Sequence, residues 1–418
     1  MFLPSELSGV TQTTIPTPAY RMTSQERRSS FSLAFIFALR MLGLFLVLPV
    51  FSLAASDYEG GDNAALVGLA LGAYGLTQAV LQLPLGLASD RFGRKRVIVL
   101  GLLVFALGSG MAALADSVWM LVLGRAVQGA GAVSAAVTAL LSDQTRDVVR
   151  TKAMALVGIS IGLVFALALV LGPLLAGYVG LSGLFWLTAL LALLGVAVVL
   201  WWVPAEPVRS RQAVPRGRLV DVLRTPDLLR LNVGVFLLHT VQMAMWSAVP
   251  GMLLLAGLAQ DAHWQVYLPA VLLSVLFLGP LMAMERRGRL RLAMLLGIGL
   301  ILVAQLALAT TAGLTVADGW SAPVWLLGLW LVVFFCGFNA LEALQPSQVS
   351  RMATQAVRGA ALGAYSTLQS LGLFAGGLLG GLLMRHAGAV QLFAATALLA
   401  ALWLALSWRM QPRLRDAA

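Results

Sequence analysis

Residues Gly86 to Arg96 read GLASDRFGRKR, a polar, glycine-containing turn between two long apolar runs. Its charged core recurs far downstream. Glu285-Arg286-Arg287-Gly288-Arg289 repeats the acid-Arg-x-Gly-Arg order of Asp90-Arg91-Phe92-Gly93-Arg94, and it too separates two apolar segments. A charged turn repeated at equivalent places implies a chain built as two related halves.

Composition says what kind of chain this is. Of 418 residues, 60% are hydrophobic and 11% charged, whereas about a quarter of a soluble domain is charged. The expected fold class is an all-α membrane protein. A bilayer crossing needs about 20 apolar residues, and twelve stretches reach that length. They lie at 31–55, 64–88, 97–115, 118–141, 151–176 and 182–203 in the first half, then at 229–257, 264–284, 292–314, 323–346, 359–385 and 388–409. The organisation expected is a disordered cytoplasmic tail over 1–30, six-helix halves over 31–203 and 229–409, a linker over 204–228 and a short tail over 410–418. The polar start, rich in Ser, Thr and Pro, lacks the apolar core of a signal peptide, and Met22 offers a second possible start. Within the linker, 218–229 could form an interfacial helix with its arginines at lipid headgroups.

Loop charge sets the expected orientation. All 28 Lys and Arg except Arg40, Arg125 and Arg385 fall at the N- and C-terminal tails, in the linker, or after spans 2, 4, 8 and 10. Asp57, Glu59, Asp62, Asp116, Asp261 and Asp318 fall in the opposite loops. Basic loops stay in the cytoplasm, so both termini are expected there. The net charge of +11 then faces anionic lipid and calls for no nucleic acid. Repeated six-span halves place a substrate path at their interface.

Few side chains could carry chemistry. Charge inside a bilayer is expensive, at about 2.5 to 3.5 kcal/mol on insertion scales, and tends to be functional. Arg40 lies near the middle of span 1, where it could line a cavity and hold an acidic group, or be satisfied structurally by carbonyls. Arg125 in span 4 is a candidate for the cavity or proton path, or bonds structurally to neighbouring helix carbonyls. Glu342 lies four residues from the expected end of span 10, as a proton carrier or as a solvated carboxylate near a loop. His239, three residues before Gln242 in span 7, titrates near neutral pH; the competing reading is a hydrogen-bonded structural histidine. Gln78, Gln82, Asn232, Gln305 and Asn339 could bind substrate or join helices. A Leu-Gly-Ala-Tyr echo, Leu71 to Tyr74 with Gln78 and Leu362 to Tyr365 with Gln369, links spans 2 and 11. In span 5, Gly158, Gly162, Gly172 and Gly177 permit close helix approach and Pro173 a kink. Cys336, the single cysteine, reads as a packed thiol. No phosphate-cradling loop, metal-ligand spacing or catalytic cluster emerges, so neither enzyme activity nor a cofactor is expected.

These residues resemble the major facilitator superfamily. Gly86, Asp90, Arg91, Gly93, Arg94 and Lys95 match its first signature; Arg125, Gln128, Gly129 and Gly131 are similar to its second. Gly158, Gly162, Gly172, Pro173 and Gly177 resemble the antiporter-associated third. Leu39 to Gly43 and Thr138 to Ala155 are similar to the drug and proton antiporter group, and within it to the YajR-like transporters of Gram-negative bacteria. Members can carry a small C-terminal domain, which is expected to be missing from a sequence that stops at Ala418. The resemblance implies a multi-pass inner-membrane protein, acting as a monomer, that exports a small amphipathic compound in exchange for protons by alternating access. An uncoupled facilitator is the alternative reading; a membrane-embedded sensor comes after it. It further implies a conformational latch in which Asp90 partners the start of span 11, Arg94 partners Asp143, and Gly86 lets the helices touch. Glu285, Arg286, Gly288 and Arg289 form the latch's pseudo-repeat.

Overall fold

A computed structural model describes residues 21–131, 133–206, 225–318, 320–353 and 357–410. The interfacial helix expected around 218–229 therefore lies mostly outside the described residues, as do most of the linker and the tail beyond 410. The first helix, α1 (Ser24–Val47), starts earlier than apolarity suggests. Thr23 accepts a hydrogen bond from the Glu26 amide, and the Glu26 carboxylate accepts one from the Thr23 amide. This reciprocal cap satisfies two amides that a helix start leaves unpaired. Residues 24–30, expected in a disordered tail, are thus helical. Glu26 is also bound by the Arg146 guanidinium at 2.8 Å, which pins this end of α1.

The remaining helices are α2 (Ala64–Phe92), α3 (Arg94–Ala113) and α4, which runs as Val118–Ala130 and resumes as Ser134–Asp143. A single 55-residue run, Asp147–Trp201, follows. At about 1.5 Å per residue it is far too long for one crossing of about 30 Å. Gly180, with φ of 65°, breaks it into two arms, α5 and α6. The second half contains α7 (Pro226–Met245, extended by Val249–Leu255), α8 (Trp264–Arg286) and α9 (Leu290–Asp318). It ends with α10 (Val324–Met352), α11 (Arg358–His386) and α12 (Ala389–Ser407). With the Asp147–Trp201 run divided at Gly180, this gives twelve membrane-length helices among the described residues. Large apolar side chains on the outer faces, Leu100, Leu107, Leu163, Leu276 and Trp325 among them, are exposed, as a lipid-facing belt requires.

Helices α1 to α6 pack mainly on one another, as do α7 to α12; α2 against α11 and α5 against α8 join the two sets. The α2–α11 seam is made of glycine. A side chain begun at Gly72 would stand 2.7 Å from the Phe374 carbonyl oxygen, and one at Gly377 2.7 Å from that of Gly68. Gly372 and Gly376, on another face of α11, press instead on the α7 backbone. Helix α11 therefore has two glycine faces, one for its own half and one for the other. The expectation for α5 is corrected in part. Gly172 does lie against the Leu46 carbonyl of α1, at 2.5 Å from a built side chain, but Gly158 and Gly162 meet nothing within 4 Å.

Candidate functional site

The turn after α2 is built as its sequence suggests. Gly93 takes φ of 101° and Gly288, its counterpart after α8, takes φ of 76°, conformations that favour glycine. Arg94 is buried and pairs with Asp90 at 2.5 Å and with Asp143, at the end of α4, at 3.3 Å. Ser89 and the Gly86 carbonyl accept its remaining reach. Gly86 itself approaches α4, with a built side chain 3.4 Å from Ala135. The latch expectation directs Asp90 to the start of α11, near Gly359; the contact seen for its carboxylate here is the one with Arg94. Arg91 stacks its guanidinium over Phe92.

The second half has a related ion pair between the ends of two helices: Glu285, at the end of α8, pairs with Arg351, at the end of α10, at 2.5 Å. Arg286 ends α8 and Arg289 is exposed. One partner of the first turn escaped sequence reading. Glu206, the acid that follows α6, accepts hydrogen bonds from the Arg94 and Lys95 amides at 3.1 and 2.7 Å. A carboxylate is favoured at a helix N-terminus, where it meets unpaired amides. The signal was an acid in a proline-rich stretch, and it gave no hint of its distance to α3.

Midway along α1, Arg40 is 1% exposed. Its guanidinium donates to Ser134 at 2.8 Å, the Tyr74 hydroxyl at 2.5 Å and Gln78 at 3.3 Å. The groups that accept its hydrogen bonds are neutral side-chain oxygens of α2 and α4, not the backbone carbonyls weighed above. Arg125, fully buried, donates to Gln128 at 2.9 Å, and Gln128 in turn donates to Ser109. Both guanidiniums flank the Tyr74 ring, at 6.0 and 5.2 Å from its centre. No carboxylate pairs with either arginine among the described residues. Gln78 also donates to Ser370 of α11 at 3.0 Å, so this cluster reaches across the seam.

The titratable side chains of the second half meet one another. Expected near a loop, Glu342 lies well inside α10, because that helix continues to Met352. Its Oε1 stands 3.4 Å from His239 Nε2. His239 is buried; its Nδ1 lies 3.0 Å from the Val235 carbonyl and its Nε2 2.9 Å from Gln369 Nε2. The carbonyl can only accept, which assigns the neutral-ring proton to Nδ1 and leaves Nε2 as a lone pair. The Gln369 amide donates to that lone pair, and the Glu342 carboxylate faces it at 3.4 Å without a hydrogen bond of its own to it. Gln242 is buried nearby in sequence, and no hydrogen bond joins it to His239 among the described residues. The Leu-Gly-Ala-Tyr echo thus marks two polar clusters, Tyr74 and Gln78 with Arg40, and Gln369 with His239.

Comparison with known proteins agrees with this architecture. Residues 33–376 match the Major Facilitator Superfamily. The chain is 44% identical over 398 residues to the inner membrane transport protein YajR of Escherichia coli K12, covering 94% of this chain and 85% of that protein. It is 28% identical to the multidrug resistance protein MdtH of Yersinia enterocolitica, over 81% of this chain and 82% of that one. In fold it superposes on the nucleoside transporter NupG with a TM-score of 0.73 at 16% identity, covering 91% of this chain and 99% of that one. The chain belongs to the Major Facilitator Superfamily, a family of membrane transporters and not of enzymes.

Proposed function

We propose that this transporter exports a small amphipathic compound across a bacterial inner membrane in exchange for protons, and that Glu342 and His239 carry the coupling proton. The observation that supports this reading is their 3.4 Å separation, on two helices of the same half, at a depth where an isolated charge is costly. Loading one proton neutralises the acid and removes that cost; releasing it restores a charge that water must reach. A protein that alternates its access can use such a change to favour one orientation over the other, by as much as the two orientations differ in proton affinity. The match to a relative named for multidrug resistance supports efflux. Basic loops at the end of the bundle that carries both termini support their cytoplasmic placement, and the chain acts as a monomer among membrane lipids.

In this reading the turn at Asp90, Arg94 and Asp143 is the latch of the cytoplasmic side, with Gly86 and Gly93 allowing its approach. The Arg40 cluster is a fixed positive anchor that positions α1, α2 and α4 and touches α11 through Gln78. The test is purified protein in liposomes with a trapped pH dye and a panel of amphipathic compounds. Compound addition should drive proton movement that disappears in Glu342→Gln. Compound exchange with no proton movement in the wild type would replace the antiporter with the uncoupled facilitator.

A further inference from the structure

The amides of the second half contain an unexplained feature. Gln345 is 1% exposed and Gln348 0%, and neither oxygen nor nitrogen of either side chain has a hydrogen-bond partner among the described residues. Asn232 of α7, 4% exposed, has an unpartnered oxygen as well. Amides that join helices do so by bonding one another or the neighbouring backbone; the two glutamines bond nothing among the described residues. A buried amide without a partner bears the full cost of its desolvation, so such groups are accommodated when water supplies the bonds.

Their placement draws a line. Glu342, Gln345 and Gln348 follow one another at three-residue steps along α10, which is about 4.5 Å of rise per step, the span of one bridging water. Asn232 precedes His239 by seven residues, two turns along the same face of α7. Between them, a side chain built at Gly234 of α7 would stand 3.1 Å from Gln345 Oε1 and 2.9 Å from Trp403 Nε1 of α12. Gln345 therefore sits among α7, α10 and α12, inside the second half. Pro346 lies in α10 four residues after Glu342. It has no N–H to give to the Glu342 carbonyl, which adds a further acceptor to the same line. Other groups near it are Tyr365, whose buried hydroxyl has no partner among the described residues, Gln369, and, at the end of α10, the Arg351–Glu285 pair.

We infer that Asn232, Gln345 and Gln348 hold a file of water inside the second half, and that protons travel along it between the cytoplasm and the Glu342–His239 pair. Each transfer moves one proton from a protonated water to the next and finally onto the Glu342 carboxylate, forming its O–H. This rests on the coupling role proposed for that pair. It adds that the proton path is separate from the α2–α11 seam between the halves. A compound bound at the interface then leaves the path open.

The first test asks whether water is present, and it does not depend on coupling. With Cys336 replaced by serine, Gln345→Cys and Gln348→Cys are treated in proteoliposomes with a small charged methanethiosulfonate reagent applied from the cytoplasmic side. Leu344→Cys is the control, since Leu344 is equally buried on the same helix. The thiolate is the reactive form, and each unit by which dry burial raises a thiol's pKa slows labelling about ten-fold. The two glutamine positions should react at least about ten-fold faster than the control. Equal, slow labelling of all three would show that the amides are dry and overturn the inference.

The second test follows the Glu342 carboxyl band by time-resolved infrared spectroscopy after a pH jump. Gln345→Leu with Gln348→Leu should slow its protonation about ten-fold or more, as expected when hydrogen-bond partners worth about 1.4 kcal/mol are lost at the barrier, while Glu342 still titrates at equilibrium. An unchanged rate removes the path. A band that never titrates in the wild type removes the coupling role instead, and the labelling result still decides whether the file exists.

Discussion

The two halves hold their buried charge in different ways. In the first, Arg40 and Arg125 are permanently charged, flank Tyr74 and are held by neutral oxygens. In the second, His239 and Glu342 face one another, and each can gain or lose a proton. A guanidinium stays protonated at every physiological pH, so the first cluster can act only by geometry and by a constant field. The second can act as a switch. The contact between Gln78 and Ser370 joins the fixed cluster to the helix that carries Gln369. A change of protonation in one half therefore has a short physical route to the anchor in the other.

The sharpest way to break this comparison is to remove the switch. Glu342→Gln is expected to abolish the dependence of compound movement on an imposed pH gradient while exchange of compound persists, as read in liposomes. His239→Gln should do the same. A pH-dependent flux that survives both changes would show that the proton runs elsewhere.

Removing the anchor should instead damage geometry. Arg40→Ala strips three hydrogen bonds from Tyr74, Gln78 and Ser134 and should lower stability by about 3 kcal/mol, seen as a lower melting temperature in detergent. Arg40→Lys keeps the charge but lacks the planar fork and reach that bring the guanidinium to Ser134, Tyr74 and Gln78 together, so it should also melt early. Whatever transport remains in either variant should keep the wild-type pH profile. A shifted profile would mean that the anchor takes part in the switch.

Smaller effects probe the joint and the turn. Gln78→Leu removes a neutral bridge worth about 1 kcal/mol and should slow compound exchange about five-fold. Glu206→Gln keeps the hydrogen-bond acceptor but loses the charge at the start of α3. It should lower the melting temperature by only about 2 °C and leave transport intact. Loss of transport in stable Glu206→Gln would place this acid in the working latch.

The difference between the halves was partly legible in the sequence, and the reasons are physical. The repeated turn was readable because acid, glycine and arginine are needed in fixed order to close a short loop between helices; Gly93 and Gly288 both adopt positive φ. Glu342 lies farther from the helix end than expected because Gln345, Pro346, Gln348 and Arg351 look like the polar end of a span, when they continue α10 with Gln345 and Gln348 buried. Hydropathy cannot tell an amide in a loop from an amide inside a bundle. Nor does glycine spacing name its partner: Gly158 and Gly162 face open space, whereas Gly68 and Gly72 touch α11. The echo shared by α2 and α11 was the one sequence trace of both polar clusters, but it showed neither Arg40 nor His239 as their partners.

The proposed switch depends most directly on where the titrating carboxyl lies. Infrared difference spectra of the purified protein, recorded between acidic and alkaline buffer, isolate carboxyl groups that change protonation away from bulk water. Wild-type protein and Arg40→Lys should both show a titrating carboxyl band of the same size, reduced in Glu342→Gln by the contribution of that one side chain. A band of undiminished size in Glu342→Gln would contradict the assignment of the switch to the second half.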